Sequence, residues 1–165
     1  MLIHQHRLHV AILYHELKEQ LLNAQAISQP LLFPEVIELT DDDWQTFQLL
    51  LPDLLRLGFA LEQFSPCAYT ISAVPALLGQ KNAVESLLQV IHNIQDNEKD
   101  VQEQWQETMT LSLAQQMAIP QGKQLSDVEM RDMVNRFMNN CSSRHLPNGQ
   151  TILSILNNDE IQKRF

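Results

Sequence analysis

Four histidines crowd the start of the chain: His4, His6, His9 and His15. A metal site needs two or three imidazoles on one face, each about 2.1 Å from a single ion. In a helical reading His6 and His9 lie on neighbouring faces, His4 sits just before the first turn, and His15 lies about three turns, roughly 16 Å, further along the axis. No Asp or Glu occurs among residues 1–14, so a hard cation would lack oxygen ligands there. The pattern is that of a polar helix entry, and no metal ligand is assigned. Cys67 and Cys141 have no histidine at a recognisable nucleophile–base spacing. His145 is near Cys141, but both fall in a loop-like stretch, so no catalytic residue is assigned. Asp41-Asp42-Asp43 reads as a helix start rather than a metal triad, because successive helical positions diverge by about 100°. With only four glycines, no phosphate-cradling loop can be drawn.

Two short pieces are more specific. Gln29-Pro30-Leu31-Leu32-Phe33-Pro34 presents an amide, adjacent large apolar side chains and a proline that holds the backbone extended. That design suits docking into a partner's groove, through pockets and backbone bonds. An edge strand entering the core is the plainer reading. Leu146-Pro147-Asn148-Gly149-Gln150-Thr151-Ile152 is a turn feeding a buried strand.

The elements that must position these pieces follow from periodicity. Leu8, Ile12, Leu13, Leu17 and Leu21 form one apolar stripe, which predicts a helix over about 5–24. Residues 31–39 predict a strand, pushed by Pro34 toward an edge or a bulge. Thr40 caps a helix that Pro52 should kink and Gly58 should end. Residues 59–64 and 68–73 predict two strands joined at Ser65-Pro66, and 82–94 and 98–117 predict helices. Ser126 and Glu129 form a capping box for the next helix. A loop over 139–150, a strand over 151–156 and a last helix from Asn157 or Asn158 complete the order. The class is α+β, a mixed sheet with helices.

Composition bounds the rest. The chain has 165 residues, 11 basic against 20 acidic, a formal charge of −9 and 44% apolar residues. That is enough for a core without disulfides or a structural metal. No apolar run reaches the roughly 20 residues of a membrane span, and the N-terminus lacks a signal-peptide pattern. A cytoplasmic location without membrane contact is expected. Phosphate attraction needs a basic surface, so DNA contact is expected to be weak or indirect.

Taken in order, these pieces resemble the C-terminal dimerisation and endonuclease-like domain of the MutL family of DNA mismatch repair proteins. Residues 3–14 (IHQHRLHVAILY) resemble the family's Asp-Gln-His-Ala helix opening. Residues 29–34 resemble a strand that in bacterial members is similar to a sliding-clamp binding motif. Residues 59–75 (FALEQFSPCAYTISAVP) resemble its hairpin, and 146–152 take the place of its Cys-Pro-His-Gly-Arg-Pro motif. The resemblance implies a two-lobed fold: a discontinuous dimerisation lobe, 1–28 with 105–165, and an inserted external lobe, 29–104. Many family members are metal-dependent endonucleases. At the family's ligand positions this chain carries His4, Val10, His15, Gln115, Leu146 and Asn148; only Pro147 and Gly149 keep the last motif's pattern. A thiolate and carboxylate site cannot be assembled from Leu, Val, Gln and Asn.

The expectation is therefore a non-enzymatic homodimerisation module. Gln29, Leu31, Leu32, Phe33 and Pro34 would form a clamp-type docking motif, and Ile152, Leu153, Ile155 and Leu156 would contribute to the dimer interface. Further contacts with other mismatch repair proteins are implied. No cofactor is expected in this domain; ATP and Mg²⁺ would belong to a separate N-terminal ATPase of the full-length family protein. The alternatives are a diverged metal-dependent nicking nuclease using His4, His6 and His9, or a generic α+β partner-binding protein. The resemblance also implies strands ahead of Ile3, so the chain is expected to be a fragment with a bare sheet edge.

Overall fold

The structure is a computed structural model and describes residues 1–23, 26–79, 81–96, 102–141 and 143–155. Its elements run β1 (Leu2–Ile3), α1 (Gln5–Asn23), β2 (Ser28–Glu38), α2 (Asp41–Arg56), β3 (Ala60–Ser65), β4 (Ala68–Pro75), a 3₁₀ turn (Ala76–Leu78), α3 (Ala83–Gln95), α4 (Gln102–Met117), α5 (Asp127–Asn140) and β5 (Leu153–Ser154). The α+β class stands, with two small sheets. The chain divides into two compact units, one made of Met1–His15 with Ala118–Phe165, the other of Glu16–Met117.

In the second unit three antiparallel strands lie in the order β2-β4-β3. Their inner face carries Ile37, Tyr69 and Ile71, all buried. Phe47, Leu50 and Leu54 of α2, Leu87, Val90 and Ile91 of α3, and Met109 and Leu113 of α4 are buried with them. Spacings of three and four put each helix's apolar residues on one face, which is why all three helices can share one core.

The ends of α2 are specified locally. The Asp43 N–H donates to Thr40 Oγ1 at 3.2 Å, the N-cap bond. Beyond the last turn, Phe59 N–H donates to Leu54 O and Gly58 N–H to Leu55 O, both at 3.1 Å. This is a Schellman closure, and it requires the left-handed backbone that Gly58 supplies at φ +96°. A Cβ there would stand 2.9 Å from Ser28 Oγ, so glycine is needed for space as well. α2 runs as one element across Pro52, whose exposed position spares the core its missing N–H.

Asp43 differs from its neighbours Asp41 and Asp42 in facing inward, at 8% exposure. Thr40 Oγ1 donates to its Oδ2 at 2.7 Å and Gln95 Nε2 to its Oδ1 at 3.1 Å, with His92 Nε2 at 3.9 Å. Burial pushes its pKa up, but the Thr40 and Gln95 bonds and His92 outweigh it, so the carboxyl lies below its ordinary 3.8.

In the first unit, β1 pairs antiparallel with β5, Leu2 opposite Ser154 and Ile3 opposite Leu153. The strand expected over 151–156 shortens to Leu153–Ser154. β1 has two residues to pair with, and Thr151 is already bridged to His145. The helix expected over about 5–24 forms as α1, with Leu8, Ile12, Leu13 and Leu17 of its stripe buried. Leu8, Val10, Ala11, Ile12 and Leu13 are all buried, so this stretch is covered on several faces, as helices sunk in a core are. Leu22, by contrast, is 78% exposed. α5 begins at the expected capping box: Glu129 N–H donates to Ser126 Oγ at 3.3 Å, and Ser126 N–H to Glu129 Oε2 at 2.8 Å. The loop expected from 139 starts after Asn140. The expected last helix and Leu156 lie outside the described residues.

Candidate functional site

Residues 29–34 lie on β2, an edge strand of the three-stranded sheet. Gln29 pairs with Val74 and Pro30 with Ala73; pairing resumes only at Glu35, opposite Ile71. Leu31, Leu32, Phe33 and Pro34 therefore stand opposite Ser72 alone, a wide β-bulge. Two physical facts produce it. Pro30 and Pro34 have no N–H to give a ladder, and three successive large apolar residues would load both faces of a regular strand, one of which is open to water. The bulge turns Leu32 and Phe33 into solvent at 88% and 77% exposure, while Leu31 is half-buried and Gln29 and Pro34 are exposed. The plainer expectation, a strand delivering these side chains to the core, does not describe them. Immediately after the bulge, Glu35 Oε2 is buried and has no hydrogen-bond partner among the described residues.

The interface candidates of the first unit fall in different environments. Ile152 is 2% exposed and belongs to the core. Leu153 is half-buried, and Ile155 is 54% exposed. Exposed apolar side chains on this unit also include Met1 at 70%, Leu2 at 60%, Val128 at 77% and Met138 at 67%, none singled out from the sequence. On α5, Met138 follows Met130 and Val134 at spacings of four, whereas Val128 has no apolar residue three or four positions on and lies off the face that buries Met133 and Phe137.

The turn before β5 is tightly held. Gly149 N–H donates to Leu146 O at 2.9 Å, Leu146 N–H to Gln150 O at 2.9 Å, and Ile152 N–H to Arg144 O at 2.8 Å. Gln150 N–H donates to Asn148 Oδ1 at 3.2 Å, and Gly149 takes the left-handed φ of +81° that the turn demands. Leu146 is 4% exposed, a core side chain.

The histidines do local work. His6 Nδ1 donates to Ile119 O at 2.7 Å, while Ile119 N–H donates to His9 Nδ1 at 3.0 Å. The two imidazoles thus hold both sides of one residue's backbone, with opposite tautomers: Nδ1–H on His6, a bare Nδ1 on His9. Gln5 Nε2 adds a bond to Lys123 O at 2.7 Å. His4 is exposed, its ring 6.5 Å from that of His6. No three His, Cys, Asp or Glu among the described residues could hold one metal ion. Neither Cys67 nor Cys141 is in a disulfide; the Cys141 thiol donates to Ala11 O at 3.7 Å and the Cys67 thiol to Asp41 Oδ1 at 3.8 Å.

Comparison with known proteins adds lineage to this geometry. A family model described as the MutL C terminal dimerisation domain matches residues 1–125. The chain is similar to the DNA mismatch repair protein MutL of Bacteroides fragilis, 32% identical over 165 residues, which is 100% of this chain and 26% of that protein. It is 33% identical over 164 residues to MutL of Parabacteroides distasonis, covering 99% of this chain and 27% of that protein. For MutL of Geotalea uraniireducens the identity is 29% over 171 residues, covering 100% and 28%. The chain thus spans about a quarter of the length of these curated relatives.

Proposed function

The chain belongs to the MutL C-terminal dimerisation domain family, and from that premise we propose that it is the self-association module of a DNA mismatch repair protein, holding two copies together without cutting DNA. The observation that carries the reading is the family match over residues 1–125; among the described residues, the β1–β5 pair adds exposed apolar surface to it. Two strands of two residues are too short to be stable alone, and Met1, Leu2 and Ile155 stand exposed at them. A second copy laid on this sheet would cover those side chains, each contributing about 1.5–3 kcal/mol when fully buried. In this reading the dimerisation lobe is 1–28 with 105–165 and the external lobe is 29–104, so residues 16–28 and 105–117 of the second unit would belong to the dimerisation lobe. Sedimentation equilibrium tests it: the wild-type chain is expected to be dimeric at tens of micromolar, Leu2→Asp to shift it toward monomer, and a wild-type monomer would overturn the proposal.

The absence of DNA cutting is supported by the donor set. A divalent metal nuclease needs thiolate, imidazole or carboxylate at the positions where Leu146 and Asn148 stand. Leu146 is a buried hydrocarbon, and the Asn148 amide oxygen is engaged by Gln150 N–H. The residues present do not fit a metal. Nucleotide chemistry would lie outside these residues.

The β2 bulge is proposed as the docking motif for a sliding clamp. Extruded Leu32 and Phe33 offer a pair of anchors with nothing to cover them in their own unit. Main-chain groups freed by the bulge would exchange hydrogen bonds with the partner.

A further inference from the structure

A separate cleft opens in the second unit where the β3–β4 turn meets the start of α2. It measures about 700 Å³ and is lined by Asp41, Trp44, Phe64, Pro66 and Cys67 among others. Its floor is rigid. The Trp44 indole stacks on the Tyr69 ring at 5.6 Å and 28°, Tyr69 leans on buried Phe47 at 4.9 Å, and Gln48 Nε2 donates to the Tyr69 hydroxyl at 2.9 Å. Its wall is an aromatic left in water: Phe64 is 71% exposed. Its rim is a carboxylate. Asp41 lies three residues before Trp44 on α2, so the two share a face, and the Cys67 thiol holds Asp41 Oδ1 at 3.8 Å.

We propose that this cleft is a docking site for a basic side chain, Arg or Lys, carried on an extended segment of a partner protein. Two aromatic side chains and a carboxylate lining one cleft match a cation electrostatically, and a guanidinium stacks better than an ammonium. The surrounding charge agrees. Residues 26–79 hold seven acidic residues against one basic, Arg56. Arg56 lies beside Asp53, at 3.9 Å, about 22 Å of helix away from Asp41. Among the described residues no cation of this chain pairs with Asp41. The positive end of α2 opposes a cation with about half a charge, which the carboxylates of its first turn exceed. The proposal is independent of the clamp reading, because the β2 bulge contributes no lining residue.

Titration of the chain with a blocked tetra-arginine peptide, followed by NMR, tests it. The Trp44 indole N–H signal is expected to move and saturate near 1 mM peptide while that of Trp105 stays still, and the response should weaken as salt is added. Asp41→Asn and Phe64→Ala, both at exposed positions, should each weaken binding about two- to fivefold. An unmoved Trp44 signal, an equal response to tetra-glutamate or tetra-glycine, unchanged binding in both variants, or equally effective binding of spermidine would overturn it.

Discussion

At the scale of single residues, side chains of one chemical type are put to different uses. Asp41, Asp42 and Asp43 are indistinguishable in sequence, yet only Asp43 turns inward to tie the start of α2 to Gln95 and His92 near the end of α3. Its lowered pKa means the folded state binds its proton more weakly than the unfolded chain does. The stabilisation is therefore present above the ordinary 3.8 and is lost as pH falls through the lowered value. Asp43→Asn is expected to cost about 1–2 kcal/mol in urea unfolding at pH 7, and the gap to wild type should close in acid. At the β2 bulge, Leu32→Ala and Phe33→Ala remove side chains that rest on nothing in this unit. They should leave urea stability within about 0.5 kcal/mol of wild type. The same variants should reduce retention on an immobilised sliding clamp tenfold or more; unchanged retention would remove the docking role. His6 and His9 were legible as a polar helix entry, but their joint hold on Ile119 was not. That residue is more than a hundred positions away, and sequence spacing carries no information at such range.

At the scale of elements, legibility follows how local the controlling interactions are. The α5 start depends on Ser126 and Glu129, three residues apart, and both bonds of the capping box form as read. The Glu129 carboxyl is held below its usual range by the backbone and hydroxyl of Ser126. Ser126→Ala should lower stability by about 1 kcal/mol, with reduced protection of the first-turn amides in hydrogen exchange. The Gly58 closure of α2 and the Asn82 cap of α3 are local in the same way. β5 is the opposite case. Its apolar run reads as six residues of strand, but strand length is set by what lies alongside, and β1 offers two. α1 forms where the periodicity puts it and buries Leu8, Ile12, Leu13 and Leu17 of its stripe, whereas burial of Val10 and Ala11 on other faces depends on what surrounds the helix.

At the scale of the whole molecule, the net charge of −9 and the domain family point the same way, toward protein contacts rather than direct attraction to phosphate. Supercoiled plasmid incubated with the chain and Mn²⁺ is expected to remain unnicked; cleavage abolished by His6→Ala would revive the nuclease alternative. Sequence alone determined the α+β class, most helix boundaries, the caps and the family, because periodicity, capping and motif order are properties of neighbours along the chain. It also marked Gln29 to Pro34 as a piece suited to docking. Tertiary structure alone decided which apolar residues were left in water. Leu32, Phe33 and Phe64 are as hydrophobic as Ile37, Phe47 and Phe59, and only strand register, bulges and the reach of neighbouring elements separate the exposed set from the buried one. Hydrophobic burial has no direction of its own, so a sequence can say how much apolar surface seeks cover but not which part a fold leaves for a partner.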